Sequence, residues 1–206
     1  MIYVFDMFGV VLDWGSEYVM SDWAKAANVD EKKFRDRSSK EFDLAETGKI
    51  SMENFWADLG RKFDCSPRNL EKLLEKRFSE QAKLNTGVVK IIDDLKNAGY
   101  QVVLFSNQLP VIGGWCRGKG WFDRFDRVFL SYELGYMKPS PEAYRSVAEA
   151  LKVRPDELFL VDDRVANVSA AVGVGWNGLV FTNDVQLEKD LQSLYPAKMV
   201  KKSDAA

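Results

Sequence analysis

Three acidic side chains, a lysine and a hydroxyl–amide pair follow short apolar runs in a pattern that can do chemistry. Asp6 comes directly after Ile2-Tyr3-Val4-Phe5, Ser106-Asn107 after Val102-Val103-Leu104-Phe105, and Asp162-Asp163 after Leu158-Phe159-Leu160-Val161. Lys138 stands just before a Ser140-Pro141 helix start. If the apolar runs are neighbouring parallel strands, these groups share the sheet edge where such folds bind ligands. Singly, each has a plainer explanation: a strand end for Asp6, a turn for Ser106 and Asn107, a helix cap for Asp163, a solvated surface for Lys138. Gathered together, the acids repel one another and raise at least one pKa unless a cation holds them. Mg²⁺ is the natural candidate, because it takes oxygen ligands and needs few protein carboxylates.

The elements that must position these groups can be read from the same runs. Ile2 to Phe5, Val102 to Phe105, Val128 to Leu130 and Leu158 to Val161 are nearly continuous in apolar residues, as strands covered on both faces are. Gly178 to Phe181 is a candidate fifth. Between them Val88, Ile91, Ile92 and Leu95 recur at helical spacing up to Gly99, and Tyr144, Val147, Ala148 and Leu151 follow Ser140-Pro141. Alternation of strand and helix predicts an α/β fold, a Rossmann-like three-layer core around a parallel sheet.

The stretch from Trp14 to Leu84 breaks the alternation, with helical patterns and no convincing strand. Helices are expected over Glu17 to Ala27 and Glu31 to Glu46, then after Ser51 and after Ser66-Pro67. The expected organisation is a core of residues 1–14 and 84–200, an all-helical cap of residues 15–83 inserted after the first strand, and a polar tail of residues 201–206. Trp14, Trp23 and the Arg35 to Arg37 stretch are candidate cap contacts to a substrate, with packing and solvation as the plainer readings.

Composition excludes several classes. The 206 residues are 46% hydrophobic and 29% charged, enough for a packed core. Twenty-nine basic residues against 31 acidic ones, a net charge of -2, leave no field for a nucleic-acid backbone. Histidine is absent, which removes Ser-His and Cys-His catalysis and His-ligated metals. Cys65 and Cys116 form no CxxC pair, which fits a reducing compartment. The N-terminus has no secretory pattern and the apolar runs are too short to span a bilayer, so a soluble cytoplasmic protein is expected, without membrane or nucleic-acid partners. The oligomeric state is left open. Gly113 to Lys119 fits GxxxxGK, but Gly120 follows where a phosphate-binding loop needs Ser or Thr, so a loop and short helix are expected there.

Read together, Phe5-Asp6-Met7-Phe8-Gly9-Val10-Val11, Leu104-Phe105-Ser106-Asn107, Lys138-Pro139 and Leu160-Val161-Asp162-Asp163 resemble, in order, the four motifs of the haloacid dehalogenase-like hydrolase superfamily. The likeness covers nearly the whole chain, including a helical cap between the first two motifs. More closely, Phe5-Asp6, Val10, Asp13, Leu130-Ser131, Leu134-Gly135, Met137-Lys138-Pro139 and Asp162-Asp163 with Asn167 are similar to the bacterial glucose-1-phosphate phosphatase group.

The resemblance implies a Mg²⁺-dependent phosphatase of a small phosphorylated metabolite, with a sugar phosphate among the candidates. Asp6 would be the nucleophile, forming an aspartyl-phosphate. The metal would be held by Asp6, the Phe8 backbone carbonyl and Asp163, with Asp162 a further ligand or an indirect partner and Asn167 supporting behind. Ser106, Asn107 and Lys138 would bind phosphate, and Lys138 would also neutralise charge on the nucleophile. One departure stands out: many phosphatases of the superfamily carry Asp two residues after the nucleophile as general acid and base, and here that position is Phe8. A phenyl ring transfers no proton, a role worth roughly a hundred- to ten-thousand-fold in rate. Asp13 is a distant candidate for an indirect proton source. Two alternatives remain: a catalytically silent phosphometabolite-binding protein, and a metal-independent 2-haloacid dehalogenase, which the Asp162-Asp163 pair disfavours by repelling an anionic substrate.

Overall fold

The computed structural model describes residues 1–15 and 17–194, and the tail expected at 201–206 lies outside them. Five parallel strands form the central sheet: β1 (Ile2–Phe5), β4 (Gln101–Ser106), β5 (Arg127–Leu130), β6 (Leu158–Asp162) and β7 (Asn177–Val180). Their spatial order is β5-β4-β1-β6-β7, so β1 lies at the centre with β4 and β6 on either side. Strand alternation sends Tyr3, Phe5, Val102, Leu104 and Val161 to one face, and Ile2, Val4, Val103, Phe105 and Leu160 to the other.

Each face buries against helices. On the first lie α5 (Thr86–Asn97), α6 (Pro110–Gly118) and α10 (Asp184–Leu194), contributing Ile92, Cys116 and Leu191 among others. On the second lie α8 (Pro141–Leu151) and α9 (Val165–Gly173), with Tyr144, Val147 and Ala171 at the interface. The single turn α7 (Ser131–Leu134) follows β5. The parallel sheet between two helical layers is the Rossmann-like α/β architecture expected from the sequence.

Between β1 and α5 the chain forms α1 (Glu17–Ala26), α2 (Glu31–Glu46), α3 (Met52–Phe63) and α4 (Pro67–Gln81). Ser51 caps α3 by accepting from the Asn54 amide, and Ser66 caps α4 by accepting from the Asn69 amide, with Pro67 in the first turn. Asp30 does the same for α2 through the Lys33 amide. Aromatic packing joins the four helices. The Trp23 ring lies 6.1 Å from Phe34, 5.7 Å from Phe42 and 6.0 Å from Trp56, and its indole N–H donates to the Leu70 carbonyl at 2.8 Å. Asp22 and Arg77 pair α1 with α4.

The structure departs from expectation where this segment joins the sheet. Two-residue strands β2 (Leu12–Asp13) and β3 (Lys83–Leu84) pair antiparallel, holding the segment's two connections side by side. Two residues display no period of alternation, which is why the sequence showed no strand there.

Candidate active site

The strand register explains why the motif residues meet. Phe5 is level with Leu104 on one side and Val161 on the other, so the next residue, Asp6, lies level with Phe105 and Asp162. The Asp6 amide continues the ladder, donating to the Val161 carbonyl at 2.9 Å. Asp6, Asp162 and Asp163 each offer a carboxylate oxygen within 4.8 Å of the others.

Lys138 reaches this cluster from the loop after α7 and is 1% exposed. Its ammonium donates to the Phe105 carbonyl at 2.9 Å and to Asp162 Oδ2 at 2.6 Å, and stands 2.9 Å from Asp6 Oδ1. Three partners match its three N–H bonds. Burial opposes its charge, but Asp6 and Asp162 outweigh that and hold its pKa above the usual lysine value. The solvated surface lysine that sequence alone allowed is therefore corrected: strand ends supply two carboxylates and a backbone carbonyl around it.

Asp162 is fully engaged. Besides Lys138 it accepts from the Arg164 amide at 2.9 Å and from the Asn167 side-chain amide at 2.9 and 3.1 Å. Asn167 thus stands behind Asp162. Asp6 differs at its two oxygens. Oδ1 is held by Lys138 and by the Met7 amide at 2.8 Å, whereas Oδ2 accepts no hydrogen bond from the described residues. Burial, opposed by Lys138 and reinforced by Asp162 and Asp163, pushes the Asp6 carboxyl up to about 7. Lost hydration, then Asp162, raises Asp163. Asp163 does not cap α9 either, whose N-cap residue is Arg164 without a side-chain cap bond.

The second motif meets the lysine loop. The Asn107 side chain donates to the Lys138 carbonyl at 2.7 Å and accepts from the Lys138 amide at 2.9 Å. It thereby fixes the Lys138 backbone, and its second amide N–H has no partner among the described residues in a residue that lines the cavity. Ser106 is wholly buried and does not line the cavity beside Asp6. The Phe8 carbonyl accepts no hydrogen bond from the described residues, while the Phe8 ring packs edge-on against Trp14, centroids 5.5 Å apart.

A cavity of about 400 Å³ opens over the cluster. Its lining includes Asp6, Lys138 and Asp163 from around the sheet edge and Trp23, Arg35, Phe42 and Glu46 from the helical segment. Trp14 lines it too. Of the residues named from sequence as candidate contacts, Trp14, Trp23 and Arg35 are here. Arg37 is not: it donates to the Lys62 carbonyl and lies over the Phe63 ring. Sequence reading missed Glu46 and Arg164. A signal for Glu46 existed, since an acid in the last turn of α2 works against the helix dipole and calls for a reason.

The residues fit a divalent cation. Three carboxylates face one ammonium, a surplus of negative charge that a dication balances. Gly9 supplies a second sign of fit: its φ is +75°, and a Cβ there would lie 2.5 Å from Asp163 Oδ2, so only glycine lets the loop seat against that carboxylate.

The chain is similar to several known proteins. D-ribitol-5-phosphate phosphatase of Bacteroides thetaiotaomicron is 27% identical over 199 residues, 91% of this chain and 95% of that protein. A haloacid dehalogenase family enzyme from the same organism, solved with magnesium and inorganic phosphate, superposes with a TM-score of 0.72 at 22% identity, covering 88% of this chain and 93% of its own. L-2-haloacid dehalogenase from Xanthobacter autotrophicus shares the fold with a TM-score of 0.62 at 19% identity, over 100% of this chain and 92% of its own. The family model for haloacid dehalogenase-like hydrolases matches residues 1–175, and the chain belongs to that family.

Proposed function

We propose that the protein is a Mg²⁺-dependent phosphatase of a small phosphorylated metabolite, working through a phosphoryl group carried transiently on Asp6. The observation that carries this reading is the asymmetry of Asp6. One carboxylate oxygen is pinned by Lys138 and the Met7 amide, and the other is unengaged in a residue lining the cavity. A nucleophile needs one oriented, available oxygen in a fixed carboxylate. The curated relative of nearly equal length, a phosphatase of a sugar-alcohol phosphate, supports the reaction class. The magnesium and phosphate in the Bacteroides structure are consistent with the charge surplus found here.

In this reading the helical segment, residues 15–83, is a cap over a core of residues 1–14 and 84–200. Asp6 Oδ2 attacks phosphorus in line with the leaving oxygen. Lys138, locked by Asp162, Asn107 and the Phe105 carbonyl, holds the nucleophile's other oxygen and offsets charge that spreads over the phosphoryl group. Asp6, Asp163 and the Phe8 carbonyl would hold Mg²⁺, which when bound neutralises phosphoryl charge and orients the group. Asp162, already saturated, serves as the partner of Lys138. The same surplus of carboxylates works against an anionic haloacid and so against dehalogenation.

Phosphate release from a panel of phosphorylated metabolites, with Mg²⁺ and with chelator, tests the reading in the parent and in Asp6→Asn. Turnover that needs both the metal and Asp6 is the expected result. Equal rates in parent and variant would remove Asp6 as nucleophile. Tight phosphometabolite binding without turnover would support a silent binding protein, and metal-free halide release a dehalogenase.

A further inference from the structure

Phe8 leaves the proposed phosphatase without the usual proton donor, and the described carboxylates lining the cavity supply a replacement from elsewhere. Besides Asp6 and Asp163, only Asp13 and Glu46 among them line it. Asp13 is exposed and lies on β2, at the end of the nucleophile loop. Glu46 is half-buried and comes from the last turn of α2 in the helical segment, which lines the same cavity. In-line displacement puts the leaving oxygen on the side of phosphorus away from Asp6, so its donor must come from lining other than the nucleophile.

Glu46 makes no hydrogen bond or ion pair with the described residues, although its helix end is firmly seated. The Thr47 hydroxyl donates to the Asp43 carbonyl at 2.6 Å, and the Lys49 amide donates to the Leu44 carbonyl at 2.7 Å. Gly48, at φ +67°, abuts the core: a Cβ there would lie 2.3 Å from the Tyr132 carbonyl oxygen. A fixed backbone with an uncommitted carboxyl facing a cavity is what a positioned acid requires.

We propose that Glu46 is the general acid and base of the reaction, delivered to the phosphate site from the helical segment in place of a residue at position 8. This rests on the phosphatase reading above. As the bond from Asp6 to phosphorus forms and the bond from phosphorus to the leaving oxygen breaks, the Glu46 carboxyl gives its proton to that oxygen, releasing a neutral alcohol. Water then attacks phosphorus, its proton passes to the Glu46 carboxylate, and the bond to Asp6 breaks to free phosphate. The site suits a carboxyl that carries a proton near neutrality: burial, aided by Asp43 and opposed by Arg164, pushes Glu46 up to about 7.

The test compares kcat/KM, with Mg²⁺, for an alditol phosphate and for p-nitrophenyl phosphate, whose leaving group needs no proton. Since kcat/KM reports only the first transfer, the ratio of the two isolates the acid step and is unaffected by loss of folded enzyme. Glu46→Gln is expected to raise the aryl-to-alkyl ratio about 100-fold or more. Glu46→Asp, which keeps an acid on a shorter arm, is expected to bring it part of the way back. A Glu46→Gln ratio equal to the parent's would overturn the proposal, as would the same rise in Asp13→Asn instead. Absence of any Asp6-dependent turnover of either ester in the parent would instead overturn the phosphatase reading on which the proposal stands.

Discussion

Gly9 and Asp163 are packed so closely that a single methyl group added to the first would lie 2.5 Å from Oδ2 of the second. The loop after β1 and the acidic turn after β6 therefore touch, although more than 150 positions separate them in sequence. Gly9→Ala should cost about 1–3 kcal/mol through its positive φ, with the Asp163 carboxylate displaced as well, read as a lowered denaturation midpoint. A variant as stable as the parent would show that the loop does not press on Asp163.

Lys138 balances the buried carboxylates of Asp6 and Asp162, which pair with no other cation among the described residues. Lys138→Met removes that balance and leaves Asp6 and Asp162 in a site almost closed to water. The expected loss is about 3–5 kcal/mol in urea unfolding of the metal-free protein. A loss under about 1 kcal/mol, the range of exposed pairs, would mean that the lysine is not confined as described.

The charge surplus leads to a metal prediction with no catalytic readout. Mg²⁺ should raise the melting temperature of the parent in a concentration-dependent way, because a ligand of the folded state stabilises it by mass action. Asp163→Asn should lose most of that rise while folding normally, since Asp163 is exposed. The same rise in parent and variant would place the cation elsewhere.

Glu46 gives a pH signature in stability. Its carboxyl is raised from 4.5 to about 7 in the folded chain, so between those values the unfolded chain has released a proton that the folded chain still binds. The contribution to the parent's stability thus falls as pH rises through this window and is flat above about 7. Glu46→Gln, neutral throughout, should gain on the parent across the window by on the order of 1–2 kcal/mol, the half-buried position limiting the size. A constant difference from pH 5 to pH 8 would contradict the burial of this carboxyl.

Much of the fold is legible in the order of the residues alone. Continuous apolar runs locate four strands of the central sheet, Gly178 to Phe181 overlaps the fifth, and Ser-Pro pairs locate the starts of α4 and α8, because burial on two faces and helix capping are local demands on sequence. The convergence of Asp6, Lys138 and Asp162-Asp163 follows from parallel strand order. What stays hidden depends on partners distant in the chain. Asn107 follows its strand as a phosphate-binding residue would, and only the close approach of the Lys138 backbone shows that its side chain also holds that loop. Glu46 can be placed at a helix end, but not in the cavity that Asp6 lines, because periodicity fixes the face of a helix and not what it meets.

The phosphoryl group proposed on Asp6 can be trapped and located chemically. The parent is mixed with Mg²⁺ and a phosphorylated substrate it turns over, quenched in acid within a single turnover, digested and mapped by mass spectrometry. One added phosphoryl group is expected on the peptide carrying Asp6, lost on neutralisation and absent in Asp6→Asn. Turnover with an unmodified Asp6 peptide at every quench time, or a phosphoryl group on another residue, would contradict Asp6 as the nucleophile.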